Sequence, residues 1–240
     1  MTNLINGGFL IVKAQAKGQD MTLLPAKLRS ASECICDQFP HPAVIEWAES
    51  SEEEQKDYLE KIGIPLSRAS EATKWSTDNF ESNIGWPNIF YNLKTAKAAK
   101  ELFFKDNLDI SVLGVGLPQE YASSYIEFAT ASLKRPDSNE DFGKSGTLDM
   151  IEKNEALPEG GKLLGYELLS TEDQGMILHS YMCSAWEKDF SLALGIKPNK
   201  DGFLPDLENA QKCLSELEKH TEDPDVEAGL WLPWAIFEYS

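Results

Sequence analysis

Short runs of apolar residues along the chain predict several buried strands. Residues 9–16, 108–118, 162–170 and 229–239 are each bounded by glycine, proline or charged residues and are rich in aliphatic or aromatic side chains. Pro233 interrupts the last of these runs. Because proline has no backbone N–H to donate, the sequence predicts that this strand lies at a sheet edge or carries a bulge.

Helical spacing of apolar residues predicts helices between these strands. The clearest begins after Ser50 or Ser51, either of which offers an N-cap oxygen, and ends at Gly63. Three glutamates fill its first turn, where the helix dipole favours negative charge. Similar spacing predicts further helices over residues 87–105, with Pro87 first, and over 119–133, 176–194 and 205–220.

Strands and helices occur together in both halves of the chain, which predicts an α+β fold with helices packed on a mixed sheet. A segment rich in proline, glycine, serine and asparagine separates the halves. We therefore expect an N-terminal α+β part over residues 1–135, a linker or long loop over 136–146 and an acidic α+β part over 147–240. These parts form either one large domain or two subdomains.

The charge of the chain excludes several classes of function. The 240 residues include 22 Lys+Arg and 40 Asp+Glu, a net charge of −18. Such a surface repels phosphate backbones and anionic lipids, so we expect neither nucleic acid nor a membrane as a partner. No apolar stretch is long enough to span a membrane, and no secretory signal is recognisable, which favours a cytoplasmic location. The oligomeric state stays open.

The acidic surplus is concentrated in the second part of the chain. Residues 1–135 contain 14 basic and 18 acidic side chains, whereas residues 136–240 contain 8 and 22. Carboxylates near exposed aromatic side chains would attract and anchor a basic protein. The predicted contact residues for such a partner are Trp231, Trp234, Glu222, Asp223, Asp225 and Glu227.

Few residues indicate catalysis, and no cofactor or metal is expected. The phosphate-binding glycine motifs are missing, and the cysteines do not form the two pairs that a structural zinc site needs. The best catalytic candidates are His179, Cys183 and Glu187, which would share one face of the predicted 176–194 helix. An imidazole beside a thiol can activate it, although a packed histidine explains the same pattern.

Four short motifs near the C-terminus resemble a group of small, poorly characterised bacterial cytoplasmic proteins. They are Gly165-Tyr166-Glu167, His179-Ser180-Tyr181-Met182-Cys183, Leu194-Gly195-Ile196 with Asn199 and Gly202, and Trp231-Leu232-Pro233-Trp234. That group is similar in style to immunity proteins that neutralise bacterial polymorphic toxins. The resemblance implies a non-enzymatic module that binds a basic toxin. The alternatives are an enzyme that uses His179 and Cys183, or a structural adaptor.

Overall fold

One antiparallel sheet organises the protein. The computed structural model describes residues 3–40, 51–133, 143–220 and 227–240. The sheet has eight strands in the order β5-β6-β1-β7-β10-β8-β9, with β4 also paired to β1, and a separate two-stranded ribbon joins β2 to β3. The strands are β1 (Leu4–Lys13), β2 (Gln15–Ala16), β3 (Lys27–Leu28), β4 (Asp37–Phe39), β5 (Ile84–Gly85), β6 (Ile89–Phe90), β7 (Ile110–Pro118), β8 (Lys162–Thr171), β9 (Ile177–Ser180) and β10 (Leu230–Tyr239).

Helices pack against this sheet, and the fold is α+β, as the sequence predicts. Within the described ranges the α-helices are α1 (Glu52–Ile62), α2 (Ala69–Asn79), α3 (Leu93–Phe104), α4 (Ala122–Ser132), α5 (Gly146–Lys153), α6 (Glu187–Leu194) and α7 (Leu207–Leu217). In the described part of the chain, no helix is both long and apolar enough to cross a membrane.

The central strands come from both parts of the chain. Strand β10 pairs with β7 on one side and with β8 on the other, and β7 in turn pairs with β1. The N-terminal and C-terminal parts therefore share one sheet. The predicted linker over 136–146 falls mainly outside the described residues, and its last residue, Gly146, begins α5.

Two hydrophobic cores form because side chains alternate between the faces of each strand. On β1, Leu10 and Val12 belong to one core, whereas Phe9 and Ile11 belong to the other. Helices α4–α7 contribute to the first core and α1–α3 to the second. Both faces of the sheet are thus covered, which explains why β1 and β7 are almost continuously apolar.

Local capping signals fix two of the helices. Ser51 is the N-cap of α1: its side chain accepts from the backbone N–H of Glu54, whose carboxylate accepts from Ser51 in return. Gly63 ends α1 in the left-handed conformation, so both predicted boundaries are confirmed. The predicted helix over 87–105 begins later, at Leu93, because the Asn92 side chain caps Thr95.

The predicted helix over 176–194 is wrong in its first half. Residues Ile177–Ser180 form strand β9, which pairs with β8 as a hairpin, and only Glu187–Leu194 is helical. A tight turn with positive φ at Gln174 and Gly175 reverses the chain before β9, and Ala185 at φ 55° separates the strand from α6. Pairing with β8 outweighs the helical spacing of the apolar residues.

The prediction for Pro233 needs correction as well. Strand β10 lies inside the sheet, and its irregularity falls between Ile236 and Phe237 rather than at the proline. Pro233 is paired with Leu168 of β8, whereas pairing with β7 begins only at Ala235. The strand tolerates proline there because it has a neighbour on one side only at that level.

A bulge in β1 depends on a glycine, and this gives a stability prediction. The bulge lies between Asn6 and Phe9, and Gly8 within it adopts φ 107°. A Cβ atom placed on Gly8 would lie only 2.2 Å from Cγ2 of buried Ile89. We expect Gly8→Ala to lower the free energy of unfolding by about 3 kcal/mol through backbone strain and overpacking. Chemical denaturation measures this change.

The matched control is Gly160→Ala. Gly160 also has a positive φ, 90°, but a Cβ atom placed on it would have no neighbouring atom within 4 Å. Its variant should lose about 1 kcal/mol from backbone strain alone. Equal losses in the two variants would contradict the steric explanation for Gly8.

Candidate functional site

A cluster of two cysteines and one histidine lies beside the β8–β9 hairpin. Cys34 comes from the loop that precedes β4, His179 lies on β9, and Cys183 lies in the turn that follows β9. Their ligating atoms, the two Sγ atoms and a ring nitrogen, all lie within 4.8 Å of one another. Residues 145 positions apart in the chain are thereby brought into contact.

His179 lies between a thiol and a carboxylate. Its Nδ1 atom is 3.3 Å from Cys34 Sγ, and its Nε2 atom is 3.2 Å from Glu172 Oε1. A second carboxylate oxygen, Glu227 Oε1, lies 3.9 Å from Nδ1. The order thiol, imidazole, carboxylate is an arrangement that can activate a nucleophile, because the carboxylate orients the ring toward the thiol.

Serine hydrogen bonds shape the loop that carries Cys34. The backbone oxygen of Ser32 accepts from the N–H groups of Ile35 and Cys36, which closes a turn. The Ser32 hydroxyl accepts from the N–H of Cys34 at 3.2 Å and donates to the carbonyl of Leu178 on β9. The same hydroxyl therefore orients Cys34 and fastens its loop to the strand of His179.

The turn that carries Cys183 has its own internal bonds. The N–H of Cys183 donates to the carbonyl of Ser180 at 2.9 Å, and the N–H of Ser180 donates to Cys183 Sγ at 3.3 Å. Ser32 Oγ lies 3.9 Å from the same sulfur. These contacts hold the Cys183 thiol toward the loop of Cys34.

A buried carboxylate joins the two segments. Glu167 on β8 is fully buried and accepts hydrogen bonds from the hydroxyls of Ser30 and Ser180 and from the N–H of Ala31, the last at 3.2 Å. Burial raises the pKa of Glu167 to about 7, although these three donors favour its ionised form. Glu167 thus connects the Cys34 loop to the beginning of the Cys183 turn.

The two thiols differ in ionisation and exposure. A hydrogen bond from Cys183 and the nearby His179 lower the pKa of Cys34 to about 6, while the same hydrogen bond raises the pKa of Cys183. Cys34 is exposed and Cys183 is half-buried. Cys34 is therefore the thiol that solvent reaches and the one whose ionisation is favoured, and Cys183 is its less accessible neighbour.

The other two cysteines are packed in the interior. Cys36 and Cys213 are both fully buried, and burial raises the pKa of each to about 12. The Cys36 thiol donates to the carbonyl of Leu28 at 3.4 Å. Both are packed as small, unreactive side chains.

The predicted catalytic residues are only partly assembled. His179 and Cys183 do lie together, but on a strand and a turn rather than on one helical face. Glu187 is buried at the start of α6, where burial raises its pKa, and it does not belong to the cluster. Sequence reasoning missed Cys34 and Glu172, because no local spacing connects either residue to His179.

The predicted partner-binding residues do not form one exposed surface among the described residues. Trp231 is 5% exposed and Trp234 is 0% exposed, so the expectation that an end-strand indole faces a partner is wrong. The Trp234 ring packs edge-on against Tyr125 of α4, with centroids 5.6 Å apart. Glu227 lies near His179. Glu222, Asp223 and Asp225 lie outside the described residues.

Comparison of the chain with known protein families, with curated proteins and with solved structures finds no match.

The raised pKa of Glu167 gives a prediction for pH. A buried carboxyl that ionises near 7 in the folded state and near 4.5 when unfolded binds more protons in the folded state between these values. The contribution of Glu167 to stability therefore falls as the pH rises from 4.5 to 7. Glu167→Gln cannot ionise and lacks this pH dependence. The free energy of unfolding of the variant minus that of the unsubstituted protein should therefore rise by roughly 3 kcal/mol between pH 4.5 and pH 7.

Chemical denaturation at several pH values tests this. Any fixed cost of the amide shifts the whole curve and leaves its slope unchanged. Glu33, whose pKa burial also raises to about 7, is present in both proteins and cancels in the comparison. Parallel curves for the two proteins would show that Glu167 does not titrate in this way.

Proposed function

We propose that the protein carries out thiol–disulfide exchange, with Cys34 as the attacking thiol and Cys183 as the resolving thiol. The observation that carries the proposal is the position of the exposed Cys34 sulfur, 3.3 Å from His179 Nδ1 and within 4.8 Å of Cys183 Sγ. Exchange between sulfurs requires an accessible thiolate and a second thiol within reach, and it does not require a deep substrate pocket.

The first step forms a mixed disulfide. The Cys34 thiolate attacks one sulfur of a substrate disulfide, a new S–S bond forms, and the substrate's own S–S bond breaks. The departing sulfur leaves as a thiolate and takes the ring proton that His179 Nδ1 shares with Cys34, which leaves this nitrogen free to accept a proton in the next step. Since Cys34 is the exposed member of the pair, it is the thiol that an incoming disulfide meets first.

The second step closes the internal disulfide. Cys183 gives its proton to His179, and its sulfur attacks the Cys34 sulfur of the mixed disulfide. The second substrate thiolate then leaves. In total, two protein thiols lose two electrons and form the Cys34–Cys183 bond, while one substrate disulfide becomes two thiols. Glu172 beside Nε2 orients the His179 ring for this proton transfer.

Charge around the site favours particular disulfides. Glu172 and Glu227 both lie beside His179, and the chain as a whole carries a charge of −18. A cationic disulfide is attracted to this surface, whereas an anionic one is repelled. Cystamine, a small disulfide with two amino groups, is therefore a suitable probe.

Substitution of the two thiols tests the assigned roles. With cystamine, the reduced protein should form an internal disulfide, and Cys183→Ser should stop at a mixed disulfide on Cys34. Cys34→Ser should react at least about tenfold more slowly, because it lacks the exposed thiolate. Intact-mass spectrometry of quenched samples distinguishes these products.

Cys213→Ala is the control, since it removes a buried thiol outside the site. It should react like the unsubstituted protein. The proposal fails if Cys34→Ser reacts at the normal rate. It also fails if Cys183→Ser accumulates no mixed disulfide while the unsubstituted protein forms no internal disulfide.

His179 should affect the rate of exchange. His179→Gln removes the group that accepts the Cys183 proton, and we expect closure of the internal disulfide to slow by about 100-fold, the usual size of a general-base contribution. Rapid-quench mass spectrometry follows the conversion of mixed into internal disulfide. His220→Gln alters a histidine at the end of the 3₁₀ turn Glu218–His220, which follows α7, and should leave the rate unchanged. If the internal disulfide closes at the same rate in both variants, His179 does not accept the Cys183 proton.

Binding of a basic protein stays a prediction from the sequence. Its support is the net charge of the whole chain and, among the described residues, the carboxylate of Glu227. The buried indoles of Trp231 and Trp234 no longer support it. The disulfide-exchange proposal is preferred because it rests on the distances between the reactive atoms of Cys34, His179 and Cys183.

A further inference from the structure

We propose that the reduced site also binds one Zn²⁺ ion, through Cys34 Sγ, Cys183 Sγ and His179 Nδ1. The proposal uses the same side chains as the exchange reaction but does not depend on it. A metal can bind to thiols that never exchange, and thiols can exchange without a metal.

The ligand types match zinc. Two thiolates and one imidazole form a donor set that zinc binds well, and three protein ligands leave the fourth tetrahedral position for water. Hard cations such as Mg²⁺ and Ca²⁺ prefer oxygen ligands and are disfavoured by two sulfurs. The donor set therefore selects a zinc-like ion over the abundant alkaline-earth ions.

The spacing of the ligand atoms also fits. With Zn–S bonds of about 2.3 Å and Zn–N bonds of about 2.0 Å, a tetrahedral ion holds its ligand atoms about 3.5–3.8 Å apart. Cys34 Sγ and His179 Nδ1 are 3.3 Å apart, and all three ligand atoms lie within 4.8 Å of one another. Shifts of about 1 Å, within the reach of side-chain rotation, bring them to this geometry.

Groups around the ligands support metal binding. Glu172 Oε1 lies 3.2 Å from His179 Nε2, so the carboxylate can fix the ring while Nδ1 faces the metal. The N–H of Ser180 donates to Cys183 Sγ, which stabilises negative charge on that sulfur. His179 and Cys183 thus each have a partner that orients them before the ion arrives.

Metal binding and disulfide formation exclude each other. Zn²⁺ coordination displaces any proton that the two sulfurs carry and leaves both sulfurs reduced. Formation of the Cys34–Cys183 bond removes two of the three ligands. We therefore expect reduced protein to bind the ion and oxidised protein to release it.

Metal titration of the reduced protein tests the proposal. Zn²⁺ is added against a chromophoric chelator in the presence of a phosphine reductant, and Co²⁺ is added separately as a spectroscopic substitute. We expect one ion per chain and an intense thiolate-to-Co²⁺ charge-transfer band. Cys34→Ser, Cys183→Ser and His179→Gln should each weaken Zn²⁺ binding at least about 100-fold, and Glu172→Gln about 10–100-fold.

Controls separate specific binding from misfolding and from the exchange reaction. Cys213→Ala should bind Zn²⁺ normally, and circular dichroism shows whether each variant remains folded. Substoichiometric binding, a Co²⁺ spectrum without the charge-transfer band, or normal affinity in folded Cys34→Ser would overturn the metal site. Exchange is assayed separately with metal-free protein in a chelator, so either proposal can fail while the other stands.

Discussion

The buried carboxylate of Glu167 is the interaction on which the site depends. It accepts hydrogen bonds from Ser30 and Ala31 in the Cys34 loop and from Ser180 at the start of the Cys183 turn. Removal of the carboxylate would leave buried hydroxyl and N–H groups without an acceptor, which costs more than a single lost hydrogen bond. Glu167 lies on β8, in the interior of the sheet. Its hydrogen bonds therefore hold both cysteine-bearing segments at a fixed position relative to that strand.

The surrounding sheet gives the cysteine–histidine cluster a fixed frame. Strand β8 pairs with β10 along most of its length and with β9 as a hairpin, so His179 projects from a strand held by the sheet. The Cys34 loop and the Cys183 turn lie outside the strands, and each is held in place by serine hydrogen bonds. Such support keeps a thiol beside an imidazole without closing access to it.

Local signals account for the parts of the fold that were predicted correctly. The Ser51 cap and Gly63 define α1 because capping bonds form within a single turn of chain. The prediction of a helix over 176–194 failed for the opposite reason. The Ile177–Ser180 segment has apolar residues at a spacing compatible with a helix, but its backbone bonds are made with β8, and nothing within the segment specifies that pairing.

The sequence by itself determined the α+β class, the positions of the four long strands and of helices α1, α3, α4 and α7, and the presence of His179 and Cys183 in one short segment. Only the tertiary structure decided that Cys34 completes the site, that Glu187 is excluded from it and that both end-strand indoles are buried. The physical reason is distance along the chain. Cys34 meets His179 across 145 residues, through the hairpin and the Glu167 hydrogen bonds, and no local pattern records such a contact.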